Sequence, residues 1–347
     1  MAHSSAVDSA AHTQRKAPRS GLWSLSFAIV TCVLVVVALA LGAVGWWIAE
    51  RFEERSRIAL ERAVEVRGRG VAVALIRELD QSWRELQVLA ETLSRPGSDQ
   101  AIGNILDLRT ASGDWVAWTG YAQLDGTVVE ASDNLLVGES VAQRPWFSEG
   151  LQRPFAGPPH EAKLLASRLP APASGEPLRF LDLASPVLDD SRRPKGVLGI
   201  HIDVAAVEAL LKEMASALSL DAFLVLSDGA IAISSVDVPF DRLDTASVRA
   251  AQVGETRAFV ETWPDGGRYM TVVLSQIRHH DMPSFGWSLV VRIDEDAFAV
   301  DARELYREYG ILLVVVLAGA VALAGMFALL VTRPINRLAA SAAAIVD

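Results

Sequence analysis

The sequence predicts an α+β fold, in which a long N-terminal helix precedes two antiparallel-sheet modules and two transmembrane helices flank the whole. Three observations carry this. Two uncharged apolar runs occupy 21–49 and 309–332. A leucine seam of helical spacing precedes the first strands. A hairpin-led pattern of strands and helices then occurs twice, 103 residues apart.

Composition narrows the class further. The 347 residues are 51% hydrophobic and 21% charged, with a net charge of −10. A disordered chain pairs low hydrophobicity with high charge, the opposite of this balance. The acidic surplus argues against a nucleic-acid partner. One cysteine, Cys32, excludes a disulfide scaffold and a cysteine-based zinc site. A mean hydropathy of +0.28 in so charged a chain implies that apolar residues are gathered in blocks.

Those blocks are the two runs. Each exceeds the roughly 20 apolar residues that cross a bilayer core, and neither has a polar face. The first is too long for the apolar region of a cleaved signal peptide, typically about 7–15 residues. Arg15, Lys16 and Arg19 precede the first run, and Arg333 and Arg337 follow the second. Basic flanks mark the cytoplasmic side. The expected protein is therefore an inner-membrane, multi-pass one with both termini cytoplasmic and residues 50–308 periplasmic or extracellular. Its tail is 1–20, and its exported part holds 40 of the 42 acids and 27 of the 32 bases.

Within the exported part, 50–95 reads as a helical stalk. Leu75, Leu79, Ser82, Leu86, Leu89 and Leu93 alternate spacings of four and three, a heptad-type seam. Gly68 and Gly70 weaken its membrane-near half, and Pro96-Gly97 ends it. A short amphipathic helix with Ile102, Ile105, Leu106 and Leu108 inward follows. VAWTGYAQ and TVVEAS flank Leu124-Asp125-Gly126, a strong hairpin signal. Further strands are expected at KLLAS, RFLDLASPV and GVLGIHI, with the turn DDSRRPK between the last two and a helix at Val204–Ser216.

The second copy opens with AFLVL, Ser227-Asp228-Gly229 and AIAISS. In both copies a serine stands seven residues after the Asp, at Ser132 and Ser235. A short helix near Asp244–Ala251 and strands RAFVETW, RYMTVVLSQIR and WSLVVRID complete it. The expected partition is a first module at 98–216, a second at 220–294 and an exit helix at 295–308.

The exported region resembles the double Cache sensor domains of bacterial transmembrane receptors, which have a long helix and two PAS-like modules. The likeness rests on Tyr121-Ala122-Gln123-Leu124-Asp125-Gly126, Arg144-Pro145-Trp146-Phe147, Phe180–Val187 and Gly196–Asp203. Thr332-Arg333-Pro334-Ile335-Asn336-Arg337-Leu338 looks like the start of a HAMP linker, incomplete at 333–347. The resemblance implies signal transduction with a small-molecule ligand, a homodimer, and a cytoplasmic output in cis or in trans. A kinase, diguanylate cyclase or chemoreceptor output is expected outside these residues, and no catalytic segment is read within them.

The resemblance places the ligand in the first, membrane-distal module. It nominates Arg144, Trp146 and Phe147, with Trp118 and Tyr121 from the facing strand. A planar Arg fork suits a carboxylate, and aromatic walls exclude water. The alternative is that Trp and Phe fill the core while Arg144 pairs with an acid. The amino-acid-binding subset of the family has a Tyr five residues before the Arg, a Tyr after the Trp and a downstream Asp. Here Glu139 and Phe147 stand at the first two positions, and LPAPASGEP holds no Asp, although Asp182 could substitute. A carboxylate without an amine is the preferred ligand on these grounds.

Other chemistry is weaker. Adjacent His279 and His280 in a strand would point to opposite faces, which suits a solvated loop better than a metal site. His160 and Glu161, in an exposed AGPPHE turn, could line the pocket mouth. Gly68-x-Gly70 follows no strand and is no phosphate loop. G-x-S-x-G and H-E-x-x-H are both missing. No metal, cofactor or catalytic residue is expected. The competing class is a non-catalytic module that docks a periplasmic protein or only dimerises.

Overall fold

The computed structural model describes residues 25–95, 106–107, 115–170, 172, 175–275, 280–327 and 330. The tail 1–20, Pro96-Gly97, most of the helix expected at 102–108, His279 and the HAMP-like 333–347 lie outside the described residues. The chain divides into two compact units, Met1–Glu53 with Arg303–Asp347, and Glu54–Ala302.

In the first unit, one helix among the described residues is long and apolar enough to cross a membrane. It is Arg307–Met326, with a mean hydropathy of 2.4. A second apolar helical stretch, Thr31–Trp47, is 17 residues long. The described residues thus give one span of sufficient length where the sequence suggests two.

The second unit is built on residues 54–94 of helix α1 (Leu25–Ser94). Leu75, Leu79, Ser82, Leu86 and Leu93 of the seam are all buried. Their core also takes in Val207, Leu211 and Ala215 of the helix Val204–Ala217. The seam residues pack against Leu181, Leu183, Leu198 and Ile200 of one sheet, and the same core takes in Leu224, Val272, Leu289 and Val291 of another. The heptad spacing therefore serves the chain's own sheets. Gly68 has a related purpose, because a Cβ there would lie 2.7 Å from Val291 Cγ2. Where the sequence suggests a weak helix, the missing side chain lets helix and strand approach closely.

The strands are β1 (Val116–Gln123), β2 (Val128–Ala131), β3 (Phe155–His160), β4 (Phe180–Leu188) and β5 (Pro194–Asp203), ordered β2-β1-β5-β4-β3. Helices α2 (Pro145–Gly150) and α3 (Lys163–Ala166) precede and follow β3, and α4 (Val204–Ala217) follows β5. The second set is β6 (Asp221–Leu226), β7 (Ile231–Ser234), α5 (Ala246–Gln252), β8 (Ala258–Thr262), β9 (Arg268–Leu274) and β10 (Trp287–Asp294). Its order, β7-β6-β10-β9-β8, repeats the first. Helix α6 (Glu295–Phe327) begins directly after β10.

The two serines are the residue-level mark of the repeat. Ser132 Oγ accepts the Thr119 N–H at 3.1 Å, and Ser235 Oγ accepts the Ala222 N–H at 2.8 Å. Both serines are buried. Each gives a first-strand amide a buried side-chain acceptor.

Two expectations at the edge of the first sheet are overturned. KLLAS is not a strand: Lys163–Ala166 is a helical turn, with Ala166 N–H donating to Ala162 O at 2.8 Å. Lys, Leu and Ala favour helix, and the segment has no β-branched residue. The edge strand is instead FAGPPH, taken from the sequence as a turn. Pro158 and Pro159 lack a donor, but β3 pairs only with β4 and its register shifts between Gly157 and His160. An outer strand with a bulge tolerates proline where a central one does not.

Filling the space at Gly68 is expected to cost stability. Gly68→Leu lowers it by about 1–3 kcal/mol through overpacking. Gly70→Ala, whose Cβ would meet only Leu218 Cδ1 at 3.5 Å, raises it by up to about 1 kcal/mol through helix propensity. Thermal unfolding of the two variants followed by tryptophan fluorescence checks the opposite signs.

Candidate functional site

Alternation along β4 and β5 decides which side chains face outward from α1. Leu181, Leu183, Ile200 and Ile202 join the core under α1. The residues between them, Phe180, Asp182, Ala184, Val197, Gly199 and His201, therefore point to the opposite face. Antiparallel register sets Asp182 beside His201 and His201 beside Trp118. Three central strands thus contribute one row, Trp118–His201–Asp182.

The row is a buried polar centre within an aromatic enclosure. His201 Nδ1 donates to Asp182 Oδ1 at 2.5 Å, and both side chains are almost fully buried. The Trp118 ring stacks on His201 at 5.0 Å and 27°. Trp146 meets the imidazole edge-on at 6.0 Å, and Phe180 lies 5.8 Å away. A buried carboxylate is costly unless paired and hydrogen-bonded; His201 supplies the pair.

His160 on β3 approaches from the rim. Its Nδ1 lies 3.3 Å from Pro158 O, and its Nε2 lies 3.6 Å from Asp182 Oδ2. The side chain is 38% exposed against 3% for Asp182. A donor bond from Nδ1 to Pro158 leaves Nε2 of a neutral ring as an acceptor. In that tautomer Nε2 and Asp182 Oδ2 would both be acceptors, whereas in the other Nε2 donates toward Oδ2 across 3.6 Å.

Glycines make room for the indoles. A Cβ on Gly120 would collide with the Trp118 ring, and one on Gly199 would come 2.7 Å from Trp146 Cε3. Helix α2 starts with Pro145 at its first turn and buries Trp146 and Phe147. A Cβ on Gly150 would lie 2.8 Å from Val197 Cγ1, so α2 rests close on the sheet.

The nominated residues separate into groups. Trp118, Trp146 and Phe147 share the outer core, and Asp182 sits among the first two through His201. Arg144 is exposed just ahead of α2, its backbone carbonyl accepting from Phe147 and Ser148. Tyr121 belongs to the core under α1, and its hydroxyl donates to Lys195 O at 3.2 Å. Glu139 pairs with Arg168 at 3.3 Å. His201 was not nominated from the sequence, although it stands inside the quoted GVLGIHID. His280 is exposed, with φ 44°, in a turn, and no metal-binding cluster occurs among the described residues.

The second sheet buries a charge at the matching place. Arg292 is 6% exposed, with Nε donating to Asp221 Oδ2 at 2.9 Å and Nη1 to Asp265 Oδ2 at 2.8 Å. Its guanidinium stands over Tyr269 at 3.9 Å and over Trp263 at 4.3 Å. Burial works to raise the Asp265 carboxyl, but the Gly267 N–H, Arg292 and the Tyr269 hydroxyl together hold it below its ordinary value. Burial pushes the Tyr269 phenol up.

No family model and no curated protein matches the chain. Among solved structures the fold is that of extracellular sensor domains of chemoreceptors and histidine kinases, consistent with a double Cache organisation. The protein described as methyl-accepting chemotaxis protein X is 15% identical, with a TM-score of 0.53 over 70% of this chain and 100% of that one. The ligand-binding domain of the Pseudomonas aeruginosa PAO1 amino-acid chemoreceptor PctB, in complex with L-Arg, is 19% identical, with a TM-score of 0.51 over 69% and 96%. An extracellular ligand-binding receptor from Desulfohalobium retbaense DSM5692 is 14% identical, with a TM-score of 0.49. The match takes in 66% of this chain but 40% of that longer one.

Two outcomes follow from the buried charges. A double-mutant cycle of Asp182→Ala and His201→Ala is expected to give a coupling of about 1–3 kcal/mol, read from unfolding free energies. A coupling near zero would mean that the pair contributes nothing. For Asp265, a depressed carboxyl contributes stability that is full above its ordinary value and is lost as pH falls through the folded value. The difference in unfolding midpoint between the parent and Asp265→Asn is therefore constant near neutrality and shrinks below the usual carboxylate range.

Proposed function

We propose that this chain is the sensing part of a bacterial inner-membrane receptor whose extracytoplasmic double Cache region binds a small molecule in its first module. The observation that carries this is the buried Asp182–His201 pair with His160 at its rim. With His160 in the tautomer that donates from Nδ1 to Pro158, its Nε2 and Asp182 Oδ2, 3.6 Å apart, accept together from a ligand ammonium. Trp118, Trp146 and Phe147 supply the apolar wall that shields such a contact from water. Arg144, whose guanidinium makes no ion pair among the described residues, is assigned to a ligand carboxylate through a side-chain swing over α2.

This reading moves the ligand toward an amino acid and away from a carboxylate without an amine. The fold shared with an L-Arg-binding domain supports the same class. In the assignment proposed here, 98–216 is the distal module, 220–294 the proximal one, 21–49 and 309–332 span the membrane, and 333–347 begins a HAMP linker. A homodimer carries the signal to a cytoplasmic output in cis or in trans. A ligand shifts such an equilibrium only by its difference in affinity for the two states, about 1.4 kcal/mol for each tenfold bias.

Calorimetry on the full chain in lipid nanodiscs tests this with L-arginine, agmatine, which lacks the carboxylate, and propionate, which lacks the amine. L-arginine is expected to bind most tightly. Asp182→Asn weakens both amine-bearing probes about tenfold or more, whereas Arg144→Ala weakens L-arginine and leaves agmatine unchanged. Indifference of every probe to Asp182→Asn would sink the assignment.

A further inference from the structure

We infer that the second module carries a ligand site of its own, for a small carboxylate with a hydroxyl or ammonium donor beside it. The inference stands apart from the reading of the first module's polar centre and rests on a groove between α4 and the second sheet. That groove has a volume of about 530 Å³ and is lined by Lys212, Ser216, Asp221, Tyr269, Arg292 and Asp294, among others. Such a volume falls within the range of small-molecule sites, about 300–1,000 Å³.

The repeat fixes its position. The serine bonds align Thr119 with Ala222, so Trp118 corresponds to Asp221. Trp118 pairs with His201 in the first sheet, as Asp221 pairs with Arg292 in the second. On β4 and β9 the next partners are Asp182 and Thr271. Asp221 and Arg292 thus occupy the row that holds the buried polar centre of the first module, and they open onto the groove.

Local chemistry sets the ligand class. Arg292 uses Nε and Nη1 for Asp221 and Asp265 and makes no hydrogen bond through Nη2 among the described residues. The guanidinium is held over the Tyr269 and Trp263 rings, so its remaining group, Nη2, is fixed before anything binds. That group, with the exposed Lys212 ammonium from α4, suits a carboxylate. Asp221 accepts Arg292 through Oδ2 and leaves Oδ1 for a donor on the ligand. Asp221 and Asp294 together disfavour a second negative charge on the ligand. A monocarboxylate with a neighbouring donor satisfies all three conditions, and a dicarboxylate does not.

The groove also has a direct route outward. Arg292, Ile293 and Asp294 line it, and Glu295 begins α6 at the next peptide bond. Occupancy therefore bears on the final residues of the strand that leads into the apolar helix.

The test uses the full chain in nanodiscs carrying Asp182→Asn, which on the reading above weakens the first module about tenfold or more; a response to Lys212→Glu tells the second site from what remains of the first. The probes are L-alanine, lactate, propionate and succinate. Calorimetry is expected to give saturable heat for L-alanine, lactate or both, which distinguishes an amino acid from a hydroxy acid, and at least tenfold weaker binding of propionate and succinate. Hydrogen exchange is expected to slow in 212–221 and 287–294. Lys212→Glu, an exposed change that keeps the fold, should weaken binding about tenfold or more; Arg292→Lys should do the same where it folds. Lack of saturable heat for both L-alanine and lactate overturns the site, as does binding that is unaltered by Lys212→Glu.

Discussion

One helical stripe has to cover two sheets, and the rest of the second unit depends on that constraint. The buried face of α1 enters a single core with the inner faces of both sheets. Each leucine so buried contributes on the order of 1.5–3 kcal/mol, so neither inner sheet face can exchange apolar residues for polar ones cheaply. The strand residues facing α1 are accordingly Leu, Ile, Val, Ala and Met almost throughout. The inner face of β4 admits Ser185, bonded by Gln87 of α1, but the buried charges of the sheets lie on the outer faces, where each sheet has a small core of its own. Asp182, His201 and Arg292 all lie there.

That division explains how much the sequence reveals. Strand β1 is read to the residue, because an Asp-Gly turn between two β-rich runs marks where it ends. The seam of α1 is read correctly as buried, while its partner is not, since a heptad records that a face is covered and not by what. KLLAS and FAGPPH fail for a different reason. At a sheet edge, pairing on one side only is enough to hold a strand, so proline ceases to exclude one and local composition loses its authority. His201 lay within reach of simple counting. The hairpin around DDSRRPK fixes the β4–β5 register, and that register sets Asp182 opposite His201. What the residues alone do not convey is which face is open, and with it the contrast between buried Trp146 and exposed Arg144.

The two modules show what a repeat preserves and what it releases. Strand order and the serine bond to the first-strand amide are kept in both copies. These features satisfy backbone groups, which every sequence carries and none can leave unpaired in a core. The central outer row is released. In the first copy it holds Trp118, His201 and Asp182, a carboxyl hydrogen-bonded by an imidazole under an indole. In the second it holds Asp221, Arg292 and Thr271, a guanidinium neutralised by two carboxylates between aromatic rings.

Both solutions obey the same rule, that a charge leaves water only with a partner. Their signs are opposite, because the fold specifies that the row be enclosed and does not specify its polarity. The apolar covering that makes each charge expensive also makes its unsatisfied edge selective, since a low-dielectric wall strengthens the contact with a matching group and the cost of a mismatched one alike. On the readings proposed above, a buried carboxylate beside His160 would select donors and a buried guanidinium acceptors. Duplicating the scaffold while leaving this row free therefore lets one chain hold two buried centres of opposite charge without altering the core under α1.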